Sequence, residues 1–165
     1  MYKPKSKVLA QMAITDIAGL VKGASTGEGL GNAFLSHISA VDGIYHVVRG
    51  FPDEDVTHND GEVDPVRDME TINGELRAKD QQNLGKAIDD LTPQIKKAND
   101  PVLKKRLEAK MACLMRVKEH LEAGQHIKDQ EWGPKEIETL NEHLFLTSKP
   151  VIYLVNIGMT QYVKK

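Results

Sequence analysis

Between Asp16 and Gly31 the chain reads DIAGLVKGASTGEGLG, an acid followed by five glycines. A loop this rich in glycine is costly in backbone entropy and is kept where a backbone must approach a ligand or move. It follows an apolar run at residues 8–15 and precedes a helical pattern, giving the order strand, Asp-x-x-Gly, loop, helix. Phosphate-sensing switches are built in that order, with the Asp holding Mg²⁺ through water and the Gly amide meeting a γ-phosphate. A flexible turn is the plain alternative, because a bare DxxG occurs by chance in many chains. Two other places carry chemistry. His58 stands in the acid-rich string DVTHNDGEVDP, and Asn156–Met159 (NIGM) follows directly on the apolar run at 151–155. His37, His46, His120, His126 and His143 lie singly without ligand spacing and read as structural, as does the lone Cys113, a small core residue on a helix.

The elements that must position these residues follow from periodicity. VLAQMAIT (8–15), GIYHVV (43–48) and VIYLV (151–155) read as three strands, and such continuous runs suit buried parallel strands. Phe34, Leu35, Ile38 and Val41 fall at helical spacing between the first two, so the unit is βαβ and the fold class is α/β. From about residue 64 the pattern turns helical. Met69, Ile72 and Leu76 share one helical face, and Leu84, Ile88, Leu91 and Ile95 share another. Thr92 before Pro93 signals a new cap or a kink, and Asp100-Pro101 an N-cap and first turn. Leu107, Leu114 and Leu121 recur every seven residues with Met111 between them, enough for an antiparallel helical hairpin. Gly124 ends that helix, and Pro134 opens a short one carrying Ile137, Leu140 and Leu144. The expected division is 1–63 as the first part of an α/β domain, 64–133 as a helical insertion, and 134–165 as the continuation of the first.

Composition excludes several classes. The 165 residues are 40% apolar and 28% charged, with 22 Lys and Arg against 24 Asp and Glu, so the chain is neither a disordered tail nor strongly charged overall. One cysteine allows no internal disulfide and no zinc cage, and no run nears the roughly 18 apolar residues of a membrane span, so the expected setting is soluble and cytoplasmic. Charge is nonetheless uneven. Residues 51–70 hold eight acids and one arginine, whereas 96–118 hold eight Lys or Arg and two acids. A solvated helix face is the commoner meaning of such a basic run, and an RNA-facing surface the alternative.

Three strings together, DIAGLVKGASTGEGLGNAFLSHISAVDGI, HVVRGFPDEDVTHNDGEVDPVRDMETINGEL and LNEHLFLTSKPVIYLVN, resemble the YchF or Obg-like ATPase family of P-loop NTPases. The resemblance implies a partial P-loop NTPase parallel sheet with an inserted α-helical hairpin, and hydrolysis of ATP to ADP and phosphate with Mg²⁺. It implies that Asp16 (through water to Mg²⁺) and Gly19 form the switch, and that Ala18, Leu20 and Val21 line the nucleotide pocket. Leu20 stands where many relatives in the wider class carry a water-orienting glutamine, and a leucine has no donor or acceptor. By the same resemblance His58 is the candidate for the catalytic role toward water, a solvated loop histidine in an acidic surface being the alternative. Asn156 and Ile157 carry over as base contacts, while Met159 replaces the family's usual Glu. An apolar residue there disfavours guanine, whose N1 and N2 donors would lose a charged acceptor. The family's link to ribosomes makes Lys104, Lys105, Arg106 and Lys110 candidates for RNA contact.

The chain contains no G-x-x-x-x-G-K-[ST], and its one Gly-Lys pair, Gly85-Lys86, lies in a helical pattern. The family's phosphate loop is expected before Met1 and its TGS domain after Lys165, so the chain is expected to be inactive alone. A non-catalytic helical module binding a ribosome or protein partner is the alternative reading.

Overall fold

The computed structural model describes residues 6, 8–17, 30–53 and 62–163. Helix α1 (Leu30–Ser39) leads into strand β1 (Ile44–Arg49). Two long helices follow, α2 (Pro65–Lys97) and α3 (Pro101–Glu122). A 3₁₀ turn (Ile127–Asp129), α4 (Pro134–His143) and a second 3₁₀ turn (Leu146–Ser148) return the chain to strand β2 (Val151–Asn156) and a short α5 (Met159–Val163). The strands pair in parallel, with Ile44 opposite Val151 and Arg49 opposite Asn156. The α/β class and the helical hairpin between the strands are as the sequence implies.

Local chemistry sets the boundaries. Asp64 caps α2 by accepting from the amides of Val66 and Arg67, with Pro65 in the first turn, where its missing N–H costs nothing. Asp100 repeats the device for α3 through the amides of Val102 and Leu103. Gly124 leaves α3 at φ +77°, a conformation that suits glycine. Helix α2 does not break at Pro93. The Thr92 hydroxyl instead donates to Ile88 O at 2.7 Å, inside a continuous helix, so this threonine neither caps nor marks a new start.

Two apolar clusters hold these elements. The hairpin cluster joins Leu84 and Leu91 of α2 to Cys113, Leu114, Val117 and Leu121 of α3, closed by Ile127, Leu140 and Phe145. The other joins Leu35 and Ile38 of α1 to Leu76 of α2 and to Leu146, with Ile17, Ile44 and Ile72 at its rim. One helix therefore serves both clusters. Burying each large aliphatic side chain contributes about 1.5–3 kcal/mol.

Three expectations are corrected. Residues 8–15 form no strand; Val8, Leu9, Met12 and Ile14 are exposed. Strand structure needs a ladder partner, and β1 and β2 pair only with each other among the described residues. The stretch still runs beside the sheet, with the Tyr45 hydroxyl 3.9 Å from Met12 Sδ. Secondly, the strands are not buried on both faces: Tyr45, Val47, Ile152 and Leu154, which share one face by alternation, are all exposed. Thirdly, α4 carries Ile137 and Leu140 but ends at His143, so that Leu144 lies just past it; of the three only Leu140 is buried. Leu144 takes the left-handed conformation at φ 49° so that α4 can stop and Phe145 can enter the core.

Candidate functional site

In an open α/β sheet, ligands bind outside the carboxyl ends of the strands. Here those ends are Arg49 and Asn156, opposite each other in the register. The Gly50 N–H donates to Asn156 O at 2.8 Å, so the segments leaving the two strands start from a common point. A Cβ at Gly50 would lie 2.8 Å from the Val155 side chain at Cγ1 and 3.3 Å from Asn156 O, so this position leaves little room for a side chain. At the end of β2 and just beyond it, Asn156, Ile157 and Met159 are exposed at this edge.

The Arg49 guanidinium folds back over the turn that leaves β1. Its Nε donates to Phe51 O at 3.0 Å and its Nη2 to Asp53 O at 3.1 Å, and its Cζ lies 4.9 Å from the centroid of the Phe51 ring. Sequence reasoning passed over this residue. Its one signal is an arginine closing an otherwise apolar strand.

Behind the edge, a buried polar contact sets where β2 begins. Asp80 of α2, fully buried, accepts from the amides of Leu146 and Thr147 at 2.8 and 2.7 Å and from the Thr147 hydroxyl at 2.7 Å. Burial raises its pKa, while those hydrogen bonds and the Lys149 charge oppose the rise. Because both oxygens face N–H groups that can only donate, the carboxylate form is the one that fits. Lys149 Nζ meanwhile donates to Ser39 O and Val41 O, tying the end of α1 to the same turn.

Of the residues implied for the nucleotide, Asp16, Asn156 and Ile157 are described and exposed. Asp16 directly precedes Ile17, which packs at the rim of the sheet-side cluster. Ala18, Gly19, Leu20, Val21 and His58 lie outside the described residues. Among the described residues no group of three His, Cys, Asp or Glu could hold a metal. Mg²⁺ needs no such cage, since it keeps most of its waters and takes one or two carboxylates plus substrate phosphates, so one exposed carboxylate at Asp16 fits it.

Four of the other histidines, His46, His120, His126 and His143, make packing or polar contacts. The His46 and Tyr153 rings lie 5.4 Å apart, those of His143 and Phe145 5.6 Å, and those of His120 and Trp132 5.8 Å. His126 meets Arg77 Nη1 through Nε2 at 3.1 Å. On the basic helix the candidates divide. Lys104, Lys105 and Arg106 are exposed, as are Lys96 and Lys97 at the end of α2, whereas Lys110 is bound to both carboxylate oxygens of Glu142 at 2.7 and 2.6 Å. Arg116 is likewise paired with Glu136. No helix among the described residues is long and apolar enough to cross a membrane.

Residues 3–82 match the family model described as 50S ribosome-binding GTPase. Over 164 residues, 99% of this chain, it is 52% identical to Obg-like ATPase 1 of Caenorhabditis elegans, covering 40% of that protein. It is 48% identical to the Homo sapiens protein of the same name, over 99% of this chain and 41% of that one. The solved structure of the Schizosaccharomyces pombe YchF GTPase superposes with a TM-score of 0.74 at 40% identity, over 84% of this chain and 37% of that one. The chain thus spans about two fifths of the length of these relatives.

Proposed function

Since the chain belongs to the YchF or Obg-like ATPase family of P-loop NTPases, we propose that it forms part of a cytoplasmic, Mg²⁺-dependent site hydrolysing ATP to ADP and phosphate. The observation that supports this reading best is the paired carboxyl ends of β1 and β2, where the Asn156 segment stands exposed. In this reading Asn156 and Ile157 meet the base. Asp16 holds a Mg²⁺-bound water, and the Gly19 amide meets the γ-phosphate beside Ala18, Leu20 and Val21. Mg²⁺, when bound, supplies positive charge against the phosphates. His58 positions or deprotonates the attacking water, a task suited to a neutral imidazole near pH 7. The preference for ATP is carried over from the family resemblance, and the apolar Met159 leaves guanine's N1 and N2 donors without a charged acceptor.

The test uses a full-length chain containing this sequence. Asp16→Ala should abolish Mg²⁺-dependent turnover, and His58→Ala should lower it about 10²-fold with nucleotide affinity nearly unchanged. A loss below threefold for His58→Ala would remove it from the reaction. The 165-residue chain alone, which has no G-x-x-x-x-G-K-[ST], should show no micromolar Mg-ATP binding by calorimetry.

A second role, ribosomal RNA contact through the hairpin, draws on the exposed Lys104, Lys105 and Arg106. The Glu142 pair weakens the case for Lys110. If catalysis fails in the full-length chain, a non-catalytic hairpin module that binds a ribosome or protein partner is what remains.

A further inference from the structure

We infer that Arg49 is a positioning residue for the nucleotide's base, fixing the turn after β1 as one wall beside Asn156. The inference rests on the reading of Asn156 as a base contact. Its geometry is independent of that reading. Residues at one register position of a parallel pair lie side by side, and Arg49 is the partner of Asn156. The Gly50–Asn156 hydrogen bond joins the two exits at 2.8 Å. Beyond that bond the turn must hold its own path, and the Arg49 fork reaches two of its carbonyls, Phe51 O at 3.0 Å and Asp53 O at 3.1 Å, while covering the Phe51 ring. A guanidinium presents several donors in one rigid plane, so one side chain fixes two backbone groups at once. A lysine offers a point charge on a flexible stem and cannot reproduce that fork. With the fork gone the wall beside Asn156 is free to move, and the base loses a preorganised surface while the phosphates do not.

The experiment compares Mg-ATP with inorganic tripolyphosphate, which carries no base, as ligands of a full-length chain containing this sequence. Arg49→Ala is expected to weaken Mg-ATP binding about tenfold, to raise KM with little change in kcat, and to leave tripolyphosphate binding unchanged. Arg49→Lys is expected to behave like Arg49→Ala. Parallel loss of both ligands would show a structural defect of the whole site and overturn the inference, as would no loss of either, or full affinity in Arg49→Lys. Asn156→Ala supplies the control. If it weakens Mg-ATP and Arg49→Ala does not, only the Arg49 role falls. If Asn156→Ala has no effect, the base site is elsewhere and both fall.

Discussion

Asp80 and Thr147 are joined by two hydrogen bonds of 2.7 Å, one from the Thr147 amide and one from its hydroxyl, across 67 positions of sequence. The contact fixes a long helix to the turn from which β2 starts, and Lys149 extends it to the end of α1. The placement of the Asn156 edge therefore depends on a carboxylate well away from that edge in sequence.

Asp80→Ala should be the most damaging single change on α2, because it strands two buried amides and a hydroxyl without an acceptor. Each unsatisfied buried donor costs about 1–3 kcal/mol, so a loss of at least ~3 kcal/mol is expected in urea unfolding of a full-length chain. A loss below ~1 kcal/mol would show that water replaces the carboxylate.

Acid should destabilise the fold through its histidines. Burial lowers the pKa of His46, His126 and His143, and at His126 the charges of Arg77 and Lys128 add to it. Each binds its proton more weakly folded than unfolded. Its contribution is therefore whole above the ordinary value of about 6.5, shrinks as pH falls from there toward the folded value, and levels off below it. Asp80 is shifted the other way, so the imidazole effect is isolated by comparing His126→Gln with the unaltered chain. The variant's urea midpoint should fall less between pH 7 and pH 5. Equal slopes would mean that His126 keeps its ordinary proton affinity.

Cys113 should be unreactive while the chain is folded. It is buried on α3, and burial, helped by Glu136, pushes its thiol up to about 11. Since the thiolate is the reactive form, a maleimide should label it slowly at pH 7.5 and rapidly in urea. Fast labelling without denaturant would mean that the hairpin core opens readily.

If the hairpin meets RNA, replacing Lys104, Lys105 and Arg106 by Glu should weaken ribosome co-sedimentation more than tenfold at ~0.1 M salt and flatten its salt dependence. Lys110→Glu should instead lower thermal stability, because it sets a like charge against Glu142. Unchanged co-sedimentation across a salt series would leave the charge run as a solvated face.

Much of this architecture was legible because its signals are local. The Asp64 and Asp100 caps, the Leu107–Leu114–Leu121 repeat and the Gly124 stop each act within a turn or two of their own position. Pro93 starts no new helix: α2 runs on across it, with Leu91 and Ile95 packed in the hairpin cluster on either side. The apolar run at 8–15 has the composition of a strand, yet pairing is a property of neighbours that a single segment cannot display. Asp80 was missed although it offered a clue: it lies in the same stripe as Leu76 and Leu84, four residues from each, and an acid within an apolar stripe needs a buried partner. Arg49 was missed because its partners are backbone carbonyls, which every residue has. The switch residues around Gly19 and His58 were read from motif alone and lie outside the described residues.

The strand register also has a consequence for the order of folding. Ile44 and Val151 are partners although more than a hundred residues separate them, and closing so long a loop directly is slow. Nearly all of that loop is the hairpin and its closing turns, whose contacts are mostly between chain neighbours. Once α2 and α3 have zipped together and Asp80 has captured Leu146 and Thr147, β2 is delivered to β1 with little chain left to search. The sheet is therefore expected to form last, since β1 is synthesised before the whole helical block that separates it from its partner. A slow refolding phase that reports on the sheet after the helices are complete, and that is lengthened by Asp80→Ala, is the kinetic signature of that order.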